Sequence, residues 1–140
     1  LGQRGPSVTK IGLGCAPFGN LFTEVSDDDV QATVDAAWKG GVRFFDTAPL
    51  YGHGLSEIRL GKALAKYPRD QYVLASKVGR LLRETVEQIS PTIFKNVPKL
   101  EPTFDYSRNA VLASIDESLS RLNVDYLDVV HVHDPDDHED

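Results

Sequence analysis

Val42-Arg43-Phe44-Phe45-Asp46 is a short apolar run that stops on a carboxylate, and the segments around it decide the fold. Bounded by Gly40-Gly41 before it and by Pro49, Gly52 and Gly54 after it, the run reads as a buried strand that delivers Asp46 to a loop. Upstream, Ser26 followed by Asp27, Asp28 and Asp29 predicts a helix start, a hydroxyl cap with acids on the positive end of the dipole. Val30, Val34, Ala37 and Trp38 recur at helical spacing, and Gly40-Gly41 permits the left-handed backbone that ends the helix. Ile11 to Ala16 reads as a first strand. Downstream, Ser56 predicts a cap for a helix whose buried stripe is Leu60, Ala63, Leu64 and Tyr67. Tyr72 to Ser76 reads as a third strand that ends at Lys77. From about Gly79 to Asp105 there are three prolines and little periodicity, which predicts an irregular connection of a length usually tied to function. Ser107 restarts a helix with the stripe Val111, Leu112, Ile115, Leu119 and Leu122. Tyr126 to His133 reads as the fourth strand.

Strands that alternate with helices imply a parallel sheet. A doubly wound sheet would carry a glycine-rich phosphate loop and an acid roughly 20 residues later. Gly12, Gly14 and Gly19 do not have that spacing, and no helix start follows Gly19. A (β/α)8 barrel instead collects its chemistry at the C-terminal ends of several strands, within about 250 residues. Asp46, Lys77 and His133 fall there, and the chain has 140 residues. The expected fold is therefore α/β, the N-terminal half (strands 1–4) of a (β/α)8 TIM barrel, with residues 1–140 forming that half.

Hydrophobic content of 41% and charged content of 26% are those of a globular domain. A formal charge of −6 argues against nucleic acid or an anionic membrane as partner. No apolar run approaches the roughly 20 residues of a membrane span, and LGQRGPSVTK has no signal-peptide core. Cys15 alone cannot form an internal disulfide, which suits the cytoplasm. The chain has no methionine, and so no initiator.

Four titratable groups converge on one rim: Asp46, Tyr51, Lys77 and His133. Taken singly each has a plain explanation: a turn-forming Asp, a packed Tyr, a solvent-facing Lys, a satisfied core His. Together they make coherent chemistry, because charged groups are not gathered at a low-dielectric mouth without a task. A phenol with an ordinary pKa of about 10 is a poor acid or base at neutral pH. A neighbouring ammonium favours the phenolate, and a carboxylate holds that ammonium in place. Tyr51, Lys77 and Asp46 thus form a tunable proton donor or acceptor, with His133 orienting a substrate oxygen. Carbonyl–alcohol interconversion is the reaction such a group serves. A metal-dependent hydrolase is the rival, with His131 and His133 on one strand face and His53, Asp134 and His138 as further ligands. That reading leaves Tyr51 and Lys77 without a role, so no metal is expected. A non-enzymatic cofactor-binding or interaction fragment is the third reading.

Phe45-Asp46-Thr47-Ala48-Pro49-Leu50-Tyr51-Gly52, Ser56-Glu57, Leu60-Gly61-Lys62-Ala63-Leu64, Ala75-Ser76-Lys77-Val78-Gly79 and Leu127 to His133 together resemble the aldo-keto reductases. The resemblance covers nearly the whole chain. It implies Tyr51 as general acid/base, Lys77 as its modulator, Asp46 as the partner of Lys77, and His133 rather than His131 as the substrate-orienting group. It implies NADP or NAD as cofactor, held in this half by Asp46 and by the Gly14-Cys15-Ala16 backbone, with most other cofactor contacts in the family's second half. Ala48 to Glu57, Phe104-Asp105-Tyr106-Ser107 and His131 to Asp137 are similar to the D-threo-aldose 1-dehydrogenase and pyridoxal 4-dehydrogenase branch. The substrate class implied is an aldose, pyridoxal or another aldehyde or alcohol, met by the segment at about 80–105. A half barrel exposes two sheet edges, which predicts self-association and an isolated chain without turnover.

Overall fold

The computed structural model describes residues 1–2, 4–86 and 92–137. In chain order its elements are β1 (Leu13–Gly14), α1 (Asp27–Lys39), β2 (Phe44–Asp46), α2 (Leu55–Leu64), β3 (Val73–Val78), β4 (Arg80–Glu84), β5 (Leu100–Phe104), α3 (Arg108–Leu122) and β6 (Val129–Val132). Strands β1-β2-β3-β6 lie side by side in that order, all parallel. This is the expected wall of a partial (β/α)8 barrel.

Side-chain alternation assigns the two faces of that wall. Phe45 and Leu74 point to the helices and join Val30, Val34, Leu60, Leu64 and Leu122 in the core. Phe44, Asp46 and Lys77 therefore take the opposite, inner face. His131 is level with Lys77 and lines the same side. Ser26 caps α1 by accepting from the Asp29 amide at 3.1 Å, and three acids occupy the first turn, as expected. Gly41, at φ +88°, supplies the left-handed residue after the helix. Trp38 stacks on Tyr67 at 4.0 Å, extending the α1–α2 contact beyond the end of α2.

Three expectations change. The connection expected between Gly79 and Asp105 contains an antiparallel hairpin, β4 with β5, paired from Arg80 opposite Phe104 to Glu84 opposite Leu100. The rest of that segment includes residues 87–91, outside the described residues. Helix α3 buries Ala110, Ser114, Ser118 and Leu122, one residue every turn, while Leu112 is 48% exposed. Small side chains let α3 come close to its neighbours, so of the expected stripe only Leu122 is fully buried, while Val111, Ile115 and Leu119 are half-buried beside the contact face. Ser56 does not cap α2. Gly54 does, and the buried Ser56 hydroxyl donates to the Cys15 carbonyl at 2.7 Å and meets Thr47 Oγ1 at 2.9 Å. That link ties the end of β1 to the end of β2.

Candidate active site

Asp46 closes β2 and Lys77 is the fifth residue of β3, so both project from the inner face at the same rim. Lys77 Nζ lies 2.7 Å from Asp46 Oδ2 and donates to the Thr47 carbonyl at 2.9 Å. The ammonium is largely buried, and a pair removed from water this far is held more firmly than a surface ion pair.

Tyr51 comes from a loop built entirely of turns. Amides of Tyr51, His53 and Gly54 bond the carbonyls of Ala48, Leu50 and Pro49 at 2.8–3.1 Å. The short 3-10 turn after β1, Ala16–Gly19, locks this loop by backbone contact: a Cβ on Gly19 would sit 2.5 Å from the Gly52 nitrogen. Only glycine permits that approach. The half-buried Tyr51 ring then stands with its centroid 5.0 Å from Lys77 Nζ. Phe94 tilts against it at 6.4 Å, and the His133 ring meets it edge-on at 5.8 Å and 87°.

His133 lies one residue beyond β6, its amide bonded to the Val78 carbonyl at 2.9 Å. The ring is buried, with Nε2 3.7 Å from the Asp134 carboxylate. Burial pushes the imidazole below its ordinary value of 6.5, partly opposed by the Asp134 charge and reinforced by Arg80 and Lys77. The ring is therefore neutral at neutral pH, able to donate from one nitrogen and accept at the other. All four residues singled out in the sequence meet around one point.

Beside them opens a cleft of about 730 Å³, lined by Gly14, Phe44, Asp46, Lys77, His131 and His133 among others. Its size is that of a small-molecule or cofactor site. Gly14 offers bare backbone, with open space where a Cβ would be. Cys15 is fully buried and Ala16 begins the 3-10 turn, so of Gly14, Cys15 and Ala16 it is Gly14 that lines the cleft. Burial, with the Asp46 charge second, pushes the Cys15 thiol well up. His53 is buried, its Nδ1 against the Leu100 carbonyl at 2.5 Å, away from the histidine pair. No three His, Cys, Asp or Glu side chains gather as a metal site among the described residues, and His138 lies outside them. Sequence reading missed Tyr106, whose hydroxyl reaches the His133 carbonyl at 2.6 Å, and Arg80, paired with Asp134 at 2.5 Å. The glycine at position 79 was the available signal for the first.

A family model described as "Aldo/keto reductase family" matches residues 10–140. Over 96% of the chain, the sequence is 41% identical to D-threo-aldose 1-dehydrogenase of a Pseudomonas species, covering 43% of that protein. It is 39% identical, again over 96% of the chain, to pyridoxal 4-dehydrogenase of Microbacterium luteolum, covering 42% of it. The chain thus spans less than half the length of these relatives. Among solved structures, a putative aldo-keto reductase from Pseudomonas aeruginosa superposes with a TM-score of 0.73 at 31% identity, over 96% of this chain and 45% of that one. An aldo-keto reductase from Klebsiella pneumoniae in complex with NADPH does so with a TM-score of 0.64 at 27% identity, over 90% and 35%.

Proposed function

The chain belongs to the aldo/keto reductase family, and on that premise we propose that it carries the proton-transfer site of an NAD(P)-dependent oxidoreductase. The observation that carries this reading is the placement of Lys77: ion-paired to Asp46, beneath the face of Tyr51, with His133 on the ring's edge. The reaction is interconversion of an alcohol or sugar hemiacetal with a carbonyl or lactone. Its substrate class is an aldose, pyridoxal or a related aldehyde or alcohol, in keeping with the relatives named above.

In the oxidative direction Tyr51 takes the hydroxyl proton of the substrate as the carbon gives up hydride. NAD(P)+, when bound, supplies the hydride acceptor. Lys77 stabilises the negative charge that passes through the phenol oxygen, and Asp46 keeps the ammonium in place. His133, neutral and largely dry, holds the substrate oxygen by a hydrogen bond. Gly14 and Asp46, both on the cleft, are the residues of this chain that would meet the cofactor, with Cys15 and Ala16 contributing backbone only. The hairpin segment over the site is the substrate-facing part of a unit running from residue 1 to 140. The chain's partners are this small molecule and, by self-association, further copies of itself; we place it in the cytoplasm.

The test is turnover in a polypeptide that continues this chain through a complete barrel, offered aldoses, pyridoxal and simple aldehydes with both nicotinamides. Hydride transfer is expected, and Tyr51→Phe should lower kcat by about 10²–10⁴-fold. Hydride transfer with none of the substrates would overturn the reading. Full activity of Tyr51→Phe would remove Tyr51 from it.

A further inference from the structure

We infer that Tyr106 is a positioning residue for His133, its hydroxyl clamping the backbone from which the imidazole is presented to Tyr51. The inference rests on the reading of His133 as the group that orients substrate. Tyr106 Oη donates to the His133 carbonyl at 2.6 Å and lies 3.2 Å from the next carbonyl, that of Asp134. The His133 amide is already bonded to Val78. The peptide is thus fixed on both sides of the ring, which leaves only side-chain torsions free.

Two features show that this contact is built in. Gly79, at φ +101°, follows β3 at a point where a Cβ would clash with the Tyr106 ring. The ring lies close against bare backbone, and the Gly79 carbonyl accepts from the Asp105 amide at 3.1 Å, seating the residue before it. The second feature is Asp134, whose φ of +47° is costly for a residue with a Cβ. That turn aims two successive carbonyls toward one hydroxyl. Arg80 grips the same turn from the other stem of the hairpin, pairing with Asp134 and stacking over Phe104 at 4.0 Å. Both ends of the β4–β5 hairpin therefore hold His133-Asp134.

A packing role alone would need only the ring; positioning needs the hydroxyl. In the full chain, labelled for nuclear magnetic resonance, the edge-on contact of the His133 and Tyr51 rings gives a through-space cross-peak and a ring-current shift. The signals are assigned by their loss in His133→Gln and Tyr51→Phe. Tyr106→Phe keeps the ring on Gly79 and should weaken the cross-peak several-fold and move the His133 ring protons. The same loss is expected with 4-methylphenylalanine at position 106, and recovery with 4-aminophenylalanine, which restores a donor. If Tyr106→Phe fails to fold, the matched methyl and amino side chains decide the question. An unchanged cross-peak in folded Tyr106→Phe, or equal cross-peaks for the methyl and amino chains, would overturn the inference. No turnover enters this readout, so its failure is separate from that of the oxidoreductase reading, which the Tyr51→Phe assay decides.

Discussion

His133 sits almost entirely out of water, at 8% exposure, and the sign of its linkage to folding follows from that. Its folded value is depressed below 6.5, so the unfolded chain binds the proton first as pH falls. Stability from this group is full above pH 6.5 and declines below it until the folded value is passed, by at most about 1.4 kcal/mol per pH unit. Titration of the His133 ring signal should give a midpoint below 6.5, and urea melts should show the loss on acidification. Lys77 offers a second measurement. Lys77→Met leaves the Asp46 carboxylate without its cation beneath Tyr51. In a completed barrel it should lower kcat by about 10²-fold or more, with a smaller change in KM. Asp46, Lys77 and His133 were legible in the sequence because each falls at or beside the end of a largely apolar run, and a charge there has few structural uses. Tyr106 was not legible, because its role depends on Gly79, 27 positions away, and on carbonyls of the turn at Asp134 that no local pattern links to it.

Elements that follow simple periodicity were readable: α1 with its Ser26 cap, and the strands around Phe45, Leu74 and Val130. The β4–β5 hairpin was hidden by its composition. Arg80-Leu81-Leu82-Arg83-Glu84 lacks alternation, and Pro102 inside β5 is a residue that argues against a strand. The hairpin has Pro102 on a two-stranded ribbon, where every strand is an edge and an absent amide is tolerated. Helix α3 misled for a different reason: its contact face is chosen by closeness of approach, which favours Ala110, Ser114 and Ser118 over larger neighbours. The turn after β1 carries its own test. Gly19→Ala forces a methyl group into the Gly52 backbone, and should cost about 1–3 kcal/mol in urea unfolding. It should also weaken the Tyr51–His133 ring contact, because the displaced loop is the one that carries Tyr51.

On the scale of the whole molecule, β1 and β6 are outer strands of a parallel sheet, and parallel strands are ordinarily covered on every side. Val130 and Val132 are 41% and 56% exposed, on the face where helices cover the earlier strands. Cys15, by contrast, lies under this exposed architecture with no surface of its own. It is the chain's one thiol, it sits where β1 hands over to the turn beneath the Tyr51 loop, and burial keeps it protonated. A thiol reagent can reach it only while the seam between β1 and the core packed over it opens. The rate of its labelling is a built-in gauge of how often the barrel wall breathes at that seam, readable in the native protein with no probe introduced.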